Sequence, residues 1–387
     1  MRAYVFTDPA LASLAGRFVW LDIDIEKPEN AAFRKRMQVN VLPTYLVLDP
    51  ADERSALRWV GGATAPQLAR ILDDARVAVA AGRTVTGRKN AVLTPADRAL
   101  ARADSLYGKA DFVGAVTAYP QALAAAPPDW PRYGRAVESL LFSLSQTEAY
   151  EPGAQLALDA YPRLKGTSSA ANLAATGLDC ALSLPDDHPR RRELVDALDR
   201  IAQELAADRS IPMAADDRSA VYIAVLDARK AAKDSVGTHA AAAAWATYLD
   251  GEAARATTPE ARAVFDSHRL SSYLELGEPE RAIPMLTASE RDLPRDYNPP
   301  ARLATAYKAM KRWSDALAAS DRAMARAYGP RKLLLYRTRA DIFVGLADST
   351  SARRTLDEAV SFAESLPSGQ RSESTVTSLR KARAALH

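Results

Sequence analysis

KRWSDALAASDRAMARAYG, Lys311 to Gly329, sets the reading of most of this chain. Its small residues Ala316, Ser320 and Ala323 fall at steps of four and three, which places them on one face of a helix. GEPERAIPMLTASERDLP (277–294) repeats those steps with Ala282, Leu286 and Ser289. GLADSTSARRTLDEAVSFAESLP (345–367) repeats them again with Ala352, Leu356 and Ala359. Ala282 and Ala316 lie 34 residues apart, and Ala316 and Ala352 lie 36 apart. Twelve residues before each of these alanines stands Leu270, Ala304 or Ala340, with Tyr273, Tyr307 or Phe343 three further on. A small-residue face lets a second helix approach closely, and the aromatic fills the space between one helix pair and the next.

This spacing resembles the tetratricopeptide repeat, whose period is about 34 residues. GKADFVGAVTAYPQALAAAP (108–127) fits too, with Ala103, Leu106, Ala115, Tyr119, Ala122 and Pro127. The best repeats are 96–128, 263–294, 297–330 and 333–367, and helices between about 135 and 257 pair less regularly. The expectation is an all-α helical-hairpin solenoid over 94–387, capped by a polar last helix from about Glu373 to Leu386. The resemblance implies a groove lined by first helices and a protein or peptide client. Its candidates are Thr305, Lys308, Arg337 and Asp341, against which stands the plainer reading of a solvated helix face. The chaperone-binding form of the repeat clamps a terminal carboxylate with basic residues and asparagine. Ser271 and Thr305 stand where asparagine is needed, so that clamp is not carried over.

The first eighty residues read differently. Thr7-Asp8-Pro9 is a helix start, with an N-cap and a proline where the missing N–H costs nothing. Phe18 to Asp24 reads as a strand, Pro28 to Gln38 as a helix, and Thr44 to Leu48 as a strand covered on both faces. Pro43 just before it marks either an edge or a cis turn. Ala56 to Val60 is a further strand ended by Gly61-Gly62, and an amphipathic helix runs from Ala65 to about Ala80. The order helix, strand, helix, strand, strand, helix points to a mixed α/β layer. The polar stretch Arg83 to Ala91 opens a linker over 83–93.

With the "LPTYLVLDP" and "RWVGG" turns, and Phe6, Asp8, Pro9, Phe18, Val19 and Asp24 in place, residues 1–82 resemble an incomplete thioredoxin-like fold. The resemblance implies that Pro43 is the family's cis-proline. Leu42, Pro43 and Thr44 would then offer their backbone to an extended client. It also implies a first strand and a WCxxC motif in a place that falls before Met1. We therefore expect a chain that starts inside the first helix of its fold, with Met1-Arg2 as the end of a redox motif's run. A leader lost with that segment would allow a periplasmic or secreted protein; as written the reading is cytoplasmic.

The single cysteine, Cys180, excludes an internal disulfide and a CxxC pair in this chain, and it sits on an apolar helix face suited to core packing. The four histidines form no metal-binding pattern, Asp22 and Asp24 read as a solvated strand-end pair, and no cofactor motif is present. The 51 basic and 48 acidic residues are interspersed, which argues against nucleic acid as a partner. No run approaches 18 apolar residues, as a transmembrane helix requires. Two functions from different classes remain. One is thiol–disulfide exchange in a longer form carrying an upstream CxxC, with no turnover by these 387 residues. The other is an adaptor that binds a protein through the repeat groove.

Overall fold

Residues 4–85 and 94–386 are described in a computed structural model, and from Pro95 onward they contain helices and no strand. A 3-10 turn (Pro9–Leu14) comes first, then a second (Pro28–Asn30) leading into α1 (Ala31–Met37). Next are β1 (Thr44–Leu48), β2 (Ser55–Val60) and α2 (Ala65–Val85). The helices that follow are α3 (Pro95–Gly108), α4 (Phe112–Ala124), α5 (Tyr133–Gln146), α6 (Tyr150–Leu164), α7 (Ser168–Ser183), α8 (Arg191–Ala207), α9 (Ala215–Ala231) and α10 (Ser235–Arg255). The chain ends with α11 (Pro259–Ala263), α12 (Asp266–Leu276), α13 (Ala282–Asp292), α14 (Asn298–Ala309), α15 (Trp313–Arg326), α16 (Lys332–Gly345), α17 (Ser349–Ser365) and α18 (Glu373–Ala384). The chain forms two units. One holds residues 1–19 and 40–241, the other residues 20–39 and 242–387.

One turn, used repeatedly, makes the helical hairpins. Ala110, Glu148, Lys233, Gly277, Lys311 and Ala347 each take a left-handed conformation, with φ between 56° and 74°. In each case the next residue donates its amide to a carbonyl five residues back. The acceptors are Leu106, Leu144, Arg229, Tyr273, Tyr307 and Phe343. This is a Schellman closure, which satisfies the last carbonyls of the first helix. At three of the turns the next residue is an aspartate that also caps the second helix, with Asp111, Asp234 and Asp348 accepting the amides of Gly114, Gly237 and Ser351. Tyr273, Tyr307 and Phe343 are the aromatics picked out by the sequence period, so the period and the turn are one feature. Only Gly277 adopts its turn without a Cβ penalty. Replacing Ala347 or Lys311 by glycine should stabilise the chain by up to about 1 kcal/mol, read as a higher midpoint in urea unfolding.

The small residues are where the hairpins close. In the second unit Ala282, Leu286, Ser289, Ala316, Ala323, Ala352 and Ala359 are fully buried, and Ser320 and Leu356 nearly so. Tyr273, Leu303, Ala306 and Ile342 complete the core between α12 and α16, and Leu333, Leu366, Val376 and Leu379 form the core beneath α18. In the first unit Tyr107, Tyr119, Phe112 and Phe142 pack edge to face among the alanines of α3, α4 and α5. The described residues thus form an array of tetratricopeptide-like helical hairpins.

The N-terminal residues depart from the expected thioredoxin-like sheet. The first turn is as read, with Asp8 accepting the Ala10 amide at 2.8 Å, but it continues as 3-10 and stops at Leu14. Phe18 sits at a bend and residues 19–24 form no regular element, so the expected strand is absent; from Trp20 the stretch belongs to the second unit. The sheet among the described residues is one antiparallel pair, β1 with β2, running from Thr44 opposite Val60 to Leu48 opposite Ser55. The pattern of burial is also reversed. β1 is half-buried along its length, while β2 is buried from Ser55 to Trp59. α2 reaches Val85, past the expected start of the linker; residues 86–93 and the Met1-Arg2 reading lie outside the described residues.

Candidate functional site

In the first unit the first helices of successive hairpins stand side by side, α3 by α5, α5 by α7 and α7 by α9. These helices meet β2, α2 and the loop between them, all of the same unit. Arg58 on β2 donates to the Gly108 carbonyl of α3 at 3.3 Å. Asp74 on α2 bonds Arg135 of α5 at 2.8 Å and lies 2.7 Å from Arg132. Gln67 donates to Ser168 of α7 at 2.6 Å, and its own carbonyl oxygen accepts the Thr64 amide that opens α2. Gly62 comes so close to α9 that a Cβ there would lie 3.0 Å from Asp217. α3 thus packs along the chain's own α/β layer, and α5, α7 and α9 touch it near their N-terminal ends. Sequence reading missed this, because the partners lie 50 to 155 residues apart and leave no local signal.

In the second unit a first-helix face is open. α14 starts at Asn298-Pro299-Pro300, and Asp296 accepts both the backbone and side-chain N–H of Asn298. Of the four residues expected in the groove, Lys308 and Asp341 meet, Nζ to Oδ2 at 2.7 Å, bridging α14 to α16. Thr305 turns back to the Ala301 carbonyl at 3.3 Å. Arg337 is exposed on α16, one turn from Asp341. Leu334 and Val344, 64% and 49% exposed, extend the same stripe at steps of three and four. Sequence reading missed these two. The signal was present, because Leu333 and Leu334 cannot both face the core when α16 has buried positions at Leu333, Ala340 and Phe343. On α12 the exposed Ser271 bonds back to the Ser267 carbonyl and offers no amide.

The Leu42-Pro43-Thr44 turn belongs to the first unit. Its Leu42–Pro43 peptide is cis. The Pro43 carbonyl accepts the Gly61 amide at 3.0 Å, and Thr44 Oγ1 donates to the Val41 carbonyl at 2.6 Å. Val41 and Leu42 are exposed. Beyond its pairing with β2, β1 has no strand on its other edge among the described residues.

Cys180 is buried on α7, where a Cβ on Gly153 of α6 would lie 2.9 Å from its sulfur. Burial, reinforced by Asp179, pushes the thiol up to about 11, which leaves little thiolate at neutral pH. Among the described residues no group of three or more His, Cys, Asp or Glu could hold a metal ion, and no helix is long and apolar enough to cross a membrane.

No protein-family model matches this chain, and no curated protein does. Among solved structures it is similar to a tetratricopeptide repeat protein from Parabacteroides merdae, at 14% identity and a TM-score of 0.35, over 75% of this chain and 99% of that one. It is also similar to the TPR2AB domain of yeast Sti1 in complex with pHSP90, at 16% identity and a TM-score of 0.26, over 75% and 98%. A third is the Cut9–Hcn1 hetero-tetramer of the APC/C, at 12% identity and 0.34, over 84% and 60%. Likenesses this loose add nothing to the repeat architecture, which rests on the hairpin turns and buried small residues of the chain itself.

Proposed function

We propose that this chain is a protein-interaction adaptor that docks a peptide or protein segment on the α14–α16 face of its second unit. The observation that carries this reading is the exposed stripe Leu334, Arg337, Asp341 and Val344 beside Thr305 and Lys308. Two apolar side chains held in water beside a cation and an ion pair suit an amphipathic segment. Its apolar residues would cover Leu334 and Val344, and its carboxylate would meet the Arg337 guanidinium. The first unit supports the same assignment, since there the α/β layer already packs on α3 and touches the ends of the next three first helices. Leu42, Pro43 and Thr44 form the second candidate contact, where an extended segment could add to the open edge of β1.

Thiol–disulfide exchange is not supported. The described residues hold a two-stranded sheet, and the one thiol is buried. Selection of a random peptide library on the purified chain should enrich sequences that combine an acidic residue with apolar ones. Arg337→Glu with Lys308→Glu should weaken the enriched peptides at least tenfold, measured by fluorescence anisotropy. Enriched peptides whose affinity ignores both substitutions would place the binding elsewhere.

A further inference from the structure

Residues 20–39 belong to the second unit, where the turn at 24–27 is held by side chains and not by a strand. Gln370, before α18, donates its amide to the carbonyls of both Ile25 (2.9 Å) and Lys27 (3.0 Å), and it is itself only 4% exposed. Tyr328, before α16, donates to Asp24 Oδ2 at 2.6 Å, and its ring meets Tyr297, before α14, edge to face. Arg331 pairs with Glu26 at 2.8 Å. Two glycines let the segment's backbone come close. A Cβ at Gly329 would lie 2.4 Å from the Glu26 carbonyl oxygen, and one at Gly369 would lie 2.0 Å from that of Ala31. Gly329 also has φ +63°, which favours glycine on its own account. Ile25 and Ala31 are buried here, whereas Val19 and Leu21 stay in water.

We propose that the three loops before α14, α16 and α18 form a recognition site for an acidic turn segment, and that Asp24–Ala31 is its resident, displaceable occupant. The contacts divide as they do in peptide-binding sites. Gln370 reads the backbone whatever the sequence, while Tyr328 and Arg331 read the carboxylates of an Asp-x-Glu pattern. The segment is shaped for this by its own bonds. Asp24 accepts the Glu26 amide, and Asn30 closes back on the Asp24 carbonyl. A partner carrying an exposed Asp-x-Glu ahead of a proline turn would compete for the same loops.

The test uses the full chain and a fluorescein-labelled peptide of residues 19–31, VWLDIDIEKPENA. Asp24→Ala with Glu26→Ala weakens the resident, so the peptide should bind this variant at least tenfold more tightly than the unaltered chain, whose site is filled. A peptide with both acids made amides should bind at least tenfold more weakly. A dimer that forms with rising concentration and is lost on Tyr328→Phe with Arg331→Met would also support the site, with a second copy's segment as the competitor. No binding by a variant that melts like the unaltered chain overturns the proposal. Should the variant unfold, hydrogen exchange on the unaltered chain decides. Excess peptide should speed exchange at residues 24–31 at least tenfold, and unchanged exchange overturns the proposal.

Discussion

Arg135→Met is expected to destabilise the first unit by about 3–5 kcal/mol, the cost of leaving a buried carboxylate without its cation. The Arg135 guanidinium holds Asp104 through two bonds, of 2.9 and 3.0 Å, and Asp74 through a third. Asp104 is 2% exposed, and its only other side-chain donor among these contacts is the Tyr119 hydroxyl. Burial works against the charge on Arg135, but Asp104 and Asp74 overcome it and hold the guanidinium above its ordinary range. The triple variant Arg135→Met, Asp104→Leu, Tyr119→Phe removes the charges and the hydroxyl together and should recover most of the loss, since a well-packed apolar replacement often matches a buried ion pair. Urea unfolding of the single and triple variants at pH 7 measures this. A single variant as stable as the parent would show that α2 is not held to α3 and α5 by these charges.

Asp217→Asn is expected to stabilise the chain at high pH and leave it unchanged at low pH. Burial, with Glu138 and Asp216 adding repulsion, pushes the Asp217 carboxyl up to about 7, against its ordinary 3.8. The Gly62 amide favours the charged form and is outweighed, and Oδ2 has no hydrogen-bond partner. A raised carboxyl contributes fully below pH 3.8, where folded and unfolded chains both hold the proton. As pH rises towards 7 the unfolded chain has given the proton up and the folded chain still carries it. Stability therefore falls by about 1.4 kcal/mol per pH unit, about 4 kcal/mol across the window. Asparagine can still accept the Gly62 amide and does not titrate. The variant should be about 3 kcal/mol more stable than the parent at pH 8, and within about 1 kcal/mol of it at pH 4. Equal differences at the two pH values would mean that Asp217 ionises without penalty.

The helical hairpins were legible because their determinants are local. Small residues at steps of three and four, an aromatic nine residues before the first of them, and an aspartate after a left-handed turn all lie within one repeat. The N-terminal layer was legible only in part. β1, β2 and the Pro43 turn formed where the residue patterns put them, and α2 began there but ran on to Val85. LDIDIE, residues 21–26, has the alternation of a strand, yet the Ile25 carbonyl, with that of Lys27 just beyond, is bonded by Gln370, more than 340 residues away. Alternation reports which side chains can face a core, and it does not report what will bond the backbone between them. Of the expected groove residues, Lys308 and Asp341 bond each other, and the exposed leucine and valine that complete their stripe were hidden in the apolar run Leu333-Leu334-Leu335 and in Phe343-Val344.

The most direct measurement of the interaction role is to give a library-selected peptide a photoreactive group and map its crosslinks on the chain by mass spectrometry. We predict adducts concentrated on residues 301–309 of α14 and 333–345 of α16, lost when Arg337 and Lys308 are reversed in charge. Adducts confined to α3 through α9, or spread evenly over exposed helices, would contradict the assignment of the α14–α16 face as the docking surface.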